Sequence, residues 1–191
     1  MGRVPHRAAR LGARRPGSHD PMTVRNDVIA LVQADHRRIE VLFKRLLLNQ
    51  KDPGPAVSAL HALLTAHTRA EEDVVYPLLD AHHGFAQHKE AEVHLDTLRR
   101  ADAGTPELTE ALHQLVVSVM AHFCDEETTI LPMLARSMSG EELAELGAAF
   151  RDARQRELDA LRGRPAEGEP RREAGRFGTG KTRMQEVLTT L

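Results

Sequence analysis

Apolar residues recur every three to four positions along most of this chain, and no segment alternates with period two between hairpin signals. Val28, Leu31, Val32, Ile39, Leu42, Phe43 and Leu46 predict a first helix from Thr23, stopped by the cluster Lys51-Asp52-Pro53-Gly54-Pro55. A second helix carries Val57, Leu60, Leu64, Val74, Val75 and Leu78 on one face and is expected to end near Gly84. A third, the least apolar, is expected over residues 86–102. Thr105 as cap and Pro106 at the first helical position open a fourth, with Leu108, Leu112, Leu115, Val119, Phe123, Ile130 and Met133. Ser139-Gly140-Glu141-Glu142 reads as a capping box that opens a fifth helix to about Leu161, with Leu143, Leu146, Phe150, Leu158 and Leu161 at helical spacing. Short loops between long helices favour antiparallel neighbours. The expected fold is therefore all-α: an antiparallel up-down-up-down four-helix bundle with an additional C-terminal helix and disordered tails.

The ends of the chain read differently. Residues 1–21 hold five Arg, three Pro and three Gly without an apolar stretch, which predicts a disordered basic tail, with Met22 as a second candidate start. The division expected is a tail over 1–22, a bundle over 23–137, an accessory helix over 138–162 that covers the bundle or a partner chain, and a flexible tail over 163–191. Met184, Val187, Leu188 and Leu191 predict a short terminal helix that needs something to dock on. Gly175 to Thr182 spell a phosphate-binding loop letter for letter. That chemistry needs a strand before the loop and a long helix after it, and the sequence offers neither.

Composition narrows the function. A net charge of −2, 3% aromatic residues and no Trp argue against nucleic acid as a partner. No apolar run is long enough for a membrane span, and no apolar core of a secretory signal is present. The single Cys124 excludes an internal disulfide and suits a reducing, cytoplasmic setting; it reads as a packed or idle thiol.

The candidate chemistry lies in a repeat. Residues 67–79 read HTRAEEDVVYPLL and residues 122–134 read HFCDEETTILPML. Each copy has a His, a Glu four residues on, a second Glu, and a Pro ten residues after the His. At about 100° per residue, His67 and Glu71 fall within roughly 20° of the centre of their apolar face, and Glu126 within about 30° of its own. Glu72 and Glu127 fall away from those centres and read as solvated. Buried carboxylates need a partner, and two of them, each one turn from a His, point to a cation. His36 on the first helix and His94 on the third lie at similar depth and complete the ring. Glu90, one turn before His94, is the alternative level residue. Imidazole with carboxylate suits Fe, Mn or Zn. His61, His82, His83, His88 and His113 read as solvated, with His88 replacing His94 if the third helix is rotated. Asp35 is a candidate outer hydrogen-bond acceptor. Tyr76 reads as the edge of a pocket, and Pro77 and Pro132 as bends.

The order His36, His67-x-x-x-Glu71, His94, His122-x-x-x-Glu126, each half continuing Glu-x(4)-Pro, resembles the hemerythrin-like HHE cation-binding domain over roughly residues 24–136. The resemblance implies a bundle holding two non-heme iron ions, oxo- or carboxylate-bridged, with His36, His67, His94 and His122 as terminal ligands and Glu71 and Glu126 as bridges. It implies a small diatomic or peroxide ligand, and a protein that binds or senses O2, NO, peroxide or iron. The alternatives are an enzyme that consumes peroxide or NO and a structural bundle holding Zn or Mn. Oxygen-carrying relatives have a fifth His where Glu90 would stand, which argues against plain oxygen transport. A homodimer through the fifth helix is a further expectation. The face assignment predicts that Glu71→Ala or Glu126→Ala lowers bound metal far more than Glu72→Ala or Glu127→Ala. Metal analysis of the four purified variants checks it, and equal losses would refute it.

Overall fold

The structure is a computed structural model that describes residues 26–79 and 82–163. All regular structure among the described residues is helical, and none of these helices is long and apolar enough to cross a membrane. The expected tails, the loop-like run 175–182 and the terminal helix lie outside the described residues. Helix α1 spans Val28–Leu48, α2 Gly54–Val74, α3 His82–Arg100, α4 Pro106–Asp125, α5 Leu131–Ser137 and α6 Gly140–Gly163. Helix α1 packs against α2 and α4, α2 against α3, and α3 against α4, while α6 lies against α1 and α2.

Local chemistry sets the boundaries. The Asp27 side chain accepts from the Ala30 amide and caps α1, which starts at Val28 and not at Thr23 as the apolar pattern suggested. Thr105 caps α4 through the Leu108 amide, with Pro106 behind it. Ser139 and Glu142 form the expected reciprocal capping box, Glu142 accepting from the Ser139 amide at 2.7 Å and Ser139 from the Glu142 amide at 3.3 Å.

Both interior prolines distort the chain, in opposite ways. Pro77 ends α2 rather than bending it: a single 3-10 turn, Tyr76–Leu78, follows Val75, so the second helix stops well short of Gly84. Pro132 is carried by widening the coil before it. Residues Glu126–Ile130 form a π-turn in which the Leu131 amide donates to the Glu126 carbonyl, and α5 continues beyond.

The apolar core is divided in two. One cluster gathers Ile39, Phe43, Leu46, Leu60, Leu64, Leu95, Leu98, Leu112, Leu115 and Val119. The other gathers Val28, Val32, Ala70, Val75, Tyr76, Leu131, Leu134 and Phe150. Along α1, α2 and α4 the buried polar residues fall between them: His36 between Val32 and Ile39, His67 between Leu64 and Ala70, and Glu126 between Val119 and Leu131.

Helix α6 joins the second cluster through Phe150 and Ala153. Its Gly147 meets the start of α1 so closely that a Cβ would stand 2.3 Å from the Asn26 carbonyl oxygen. Gly→Ala within a helix gains up to about 1 kcal/mol of propensity. Overpacking against backbone costs about 1–3 kcal/mol and wins. Gly147→Ala is thus expected to lower the thermal midpoint and Gly147→Val to lower it further, as read by circular dichroism melts.

Candidate metal centre

Six side chains from four helices meet in the layer between the two apolar clusters. Helix α1 supplies His36, α2 His67 and Glu71, α3 His88, and α4 with its π-turn His122 and Glu126. They form two groups: His36, His67, Glu71 and Glu126 in one, and Glu71, His88, His122 and Glu126 in the other. Within each, one ligand atom per residue lies within 4.8 Å of every other. The two carboxylates belong to both groups.

The imidazoles all aim Nε2 inward. Nε2 of His36 stands 3.1 Å from Glu126, that of His122 3.5 Å from Glu126, that of His67 3.3 Å from Glu71, and that of His88 3.4 Å from Glu71. His88 and His122 face one another at 2.9 Å between their Nε2 atoms. These contacts do not use up the polar atoms. His36 Nε2, both His67 nitrogens, both Glu71 oxygens and Glu126 Oε2 are buried without a hydrogen-bond partner. Natively buried polar atoms are seldom left so. A set of orphaned acceptors built from imidazole and carboxylate is what cations bind, so the residues fit one cation per group.

Three of the four outward nitrogens are held as well. His36 Nδ1 donates to Glu127 at 2.8 Å, His88 Nδ1 to Glu72 at 3.1 Å, and His122 Nδ1 to the Gln87 side-chain oxygen at 2.8 Å. Arg37 donates to Glu127 and Arg69 to Glu72, at 2.9 and 2.7 Å. Tyr76 reaches into the layer, its hydroxyl donating to Glu126 Oε1 at 3.0 Å and lying 2.9 Å from His88 Nε2. A cavity of about 620 Å³ between α2 and α3, bordered by Glu157 and Leu161 of α6, reaches Glu72 and His88. His36 and His67 are sealed.

Five of the seven residues expected from sequence meet here: His36, His67, Glu71, His122 and Glu126. His94 and Glu90 do not. They face each other at 3.7 Å on the outer side of α3, and Glu90 is 62% exposed. The reason is the helix's rotation. Its buried stripe is Gly84, His88, Ala91, Leu95 and Leu98, on which His88 falls and His94 does not. Depth along α3 was the guide to His94, and the stripe was the signal that would have found His88. The argument against oxygen transport from Glu90 falls with it. One turn before His88 stands Gly84, where a Cβ would meet the Tyr76 ring at 2.6 Å, so Tyr76 fills the place from which a fifth imidazole would approach. Glu72 and Glu127 are not merely solvated. Each reaches across to a His on a neighbouring helix, which a single-helix projection cannot show. Asp35 faces His67 rather than its neighbour His36. Cys124 is exposed.

The sequence model of the hemerythrin HHE cation binding domain matches residues 27–134. A DNA nickase from Nostoc sp. (strain PCC 7120 / SAG 25.82 / UTEX 2576) is 25% identical over 143 residues, which is 70% of this chain and 40% of that protein. The chain thus spans less than half the length of that relative. No solved structure matches it.

Packing so many ionisable groups together moves their protons. Burial, and then the charge of Glu126, pushes the Glu71 carboxyl up to about 8. Burial opposes the charge of Glu126 as well, but the His36 contact and the imidazoles of His122 and His67 hold it at about 2. For His88, burial works against the charged form, yet Glu71 and Glu72 raise it to about 9. Burial first of all lowers His122 to about 4 and His67 well below the ordinary range. At neutral pH the metal-free site therefore holds protons on Glu71 and His88; at His36 burial works against the charged form, yet Glu126 and Glu127 raise it as well, so a cation must displace protons to enter. Apparent metal affinity is expected to rise between about pH 6 and 9, with proton release on loading measurable with an indicator dye in weak buffer. Both groups have folded values above their ordinary ones of 4.5 and 6.5. The folded metal-free chain thus binds more protons than the unfolded chain, and its stability falls as pH rises through that window. Melts at pH 6.5 and 9 without metal are expected to show the lower midpoint at pH 9.

Proposed function

The chain belongs to the hemerythrin HHE cation binding domain family, and from that premise we propose that it is a non-heme di-iron protein that binds or senses O2, NO, peroxide or iron. We take α1 to α4 as the up-down-up-down four-helix bundle that frames the site. The observation that carries the reading is the sharing of Glu71 and Glu126 between the two groups of ligands. One iron would be held by His36 and His67, the other by His88 and His122, with the two carboxylates common to both. An iron pair of this kind supplies a redox centre able to take a diatomic molecule or peroxide. The chain's own residues do the rest. The outer acceptors Glu127, Glu72 and Gln87 orient His36, His88 and His122, the apolar clusters keep bulk water out, and the cavity between α2 and α3 leaves the His88 side open to a small ligand.

A second reading, an enzyme that consumes peroxide or NO, is favoured by Tyr76. Burial and the neighbouring carboxyl groups of Glu71 and Glu126 hold its phenol protonated, and its hydroxyl stands in the layer as a hydrogen-bond donor. The activity in the Nostoc relative's name stays with that protein, because this chain spans 40% of it and its net charge of −2 offers no field for DNA.

Anaerobic reconstitution with ferrous iron tests the proposal. The expected result is two irons per chain and an oxygen-dependent absorption band that develops slowly. Rapid catalytic loss of added peroxide, slowed at least tenfold by Tyr76→Phe, would favour the enzyme. One tightly held Zn that is inert to oxygen would sink both readings.

A further inference from the structure

Three of the four imidazoles have a hydrogen bond at Nδ1, and the fourth, His67, has none. Its Nδ1 is buried, and the acceptor facing it is the Asp35 carboxylate, 3.9 Å away. Asp35 is itself only 2% exposed, an expensive place for a carboxylate without strong partners. Those partners are two arginines. Arg38 donates to Oδ1 at 3.0 Å from one turn along α1. Arg154 donates Nε to Oδ2 and Nη2 to Oδ1, a two-pronged grip from α6 across 119 residues of sequence. The side chain of Arg154 is 20% exposed, that of Arg38 63%, so Arg154 is the partner that closes the interior side.

The arrangement repeats one already seen twice. Arg37 holds Glu127 behind His36, and Arg69 holds Glu72 behind His88. In both, arginine, carboxylate and imidazole come from α1 to α4 and the π-turn. At His67 the carboxylate is held by Arg38 of α1 and, in addition, by Arg154 of α6. Gly147, Phe150 and Arg154 form a single stripe at i, i+3 and i+7 of that helix. Gly147 sits on the start of α1, the Phe150 ring stands edge-on to His67 with centroids 6.2 Å apart, and Arg154 takes Asp35.

We infer that α6 is a working part of the metal centre: Arg154 is a positioning residue that holds Asp35 as the outer acceptor for His67, so that the docking of α6 sets the affinity of the His36/His67 half of the site. This rests on the two-metal reading above. It assigns α6 a task beyond covering α1 and α2, and it makes the two halves separately adjustable.

The test is anaerobic titration of the full chain with cobalt(II), followed by visible absorption, together with metal analysis after ferrous loading. Wild-type protein is expected to take up two metals. Arg154→Ala and Asp35→Asn are each expected to keep one at wild-type affinity and to weaken the other by about 10–100-fold, the usual cost of losing an outer partner. Combining those two changes should add little to either, because they cut the same link. Combining Arg154→Ala with Glu72→Gln should weaken both metals. Circular dichroism of the metal-free variants separates this from general loosening, in which both metals weaken together as helix content falls. Such joint weakening, or wild-type affinity for both metals in well-folded Arg154→Ala, would overturn the inference. If Arg154→Ala does not fold, Asp35→Asn keeps the volume and decides the matter alone: unchanged affinities there overturn it. Wild-type protein that takes up fewer than two metals would instead sink the dinuclear reading, and this inference with it.

Discussion

Two carboxylates held in one dry layer are the constraint on which this structure turns. Glu71 and Glu126 lie 1% exposed between two apolar clusters, and among the described residues neither forms an ion pair with an arginine or lysine. Leaving such groups ionised and unpaired in an interior costs several kcal/mol each. The fold answers by bringing four imidazoles to them, one from each of α1 to α4. That demand fixes the rotation of every helix, because each must turn one His inward at the same level. It also divides the apolar core in two, since a polar layer must pass through it.

Much of this was legible in the sequence, and the lapses have a common cause. The 3.6-residue spacing of apolar positions located the helices, and the caps at Thr105 and Ser139 were readable letter by letter because a cap is a local hydrogen bond. His67, Glu71, His122 and Glu126 were legible for a similar reason: each pair is one turn apart on one face. The failures lie where the answer depends on a neighbour. His88 and not His94 faces the layer because the weakly apolar α3 is turned by its contact with α4. Glu72 and Glu127 look solvated on their own helices and are claimed by imidazoles on others. The Arg154 partner of Asp35 was out of reach, since a pair 119 residues apart leaves no periodic trace.

The four imidazoles share a pattern but not a setting. The outer acceptors of His36 and His88 are carboxylates, that of His122 is the amide oxygen of Gln87, and His67 faces the Asp35 carboxylate at 3.9 Å. A carboxylate makes its imidazole a stronger base than an amide does. The His36/His67 half is also the sealed one, while the other borders the cavity and carries the Tyr76 hydroxyl. The halves thus differ in donor strength, in access to solvent and in the presence of an acid. On the two-metal reading proposed above, such a difference would let one half anchor its ion and leave the other half to meet a ligand.

The two prolines bear on how the repeat should be regarded. Both copies place Pro ten residues after the His, yet the first winds tighter there and terminates, and the second winds looser and runs on. The wide turn takes up one residue more per bond than an α-helix, and it resets the angular phase of everything downstream, so that Leu131 and Leu134 point into the core. Tight winding after Val75 instead turns Tyr76 inward, towards the other copy's Glu126. The same spacing of His, Glu and Pro thus produces opposite pitch. The copies are homonyms rather than interchangeable modules, and a chimera carrying the same copy twice would lose either the tyrosine or the register of α5.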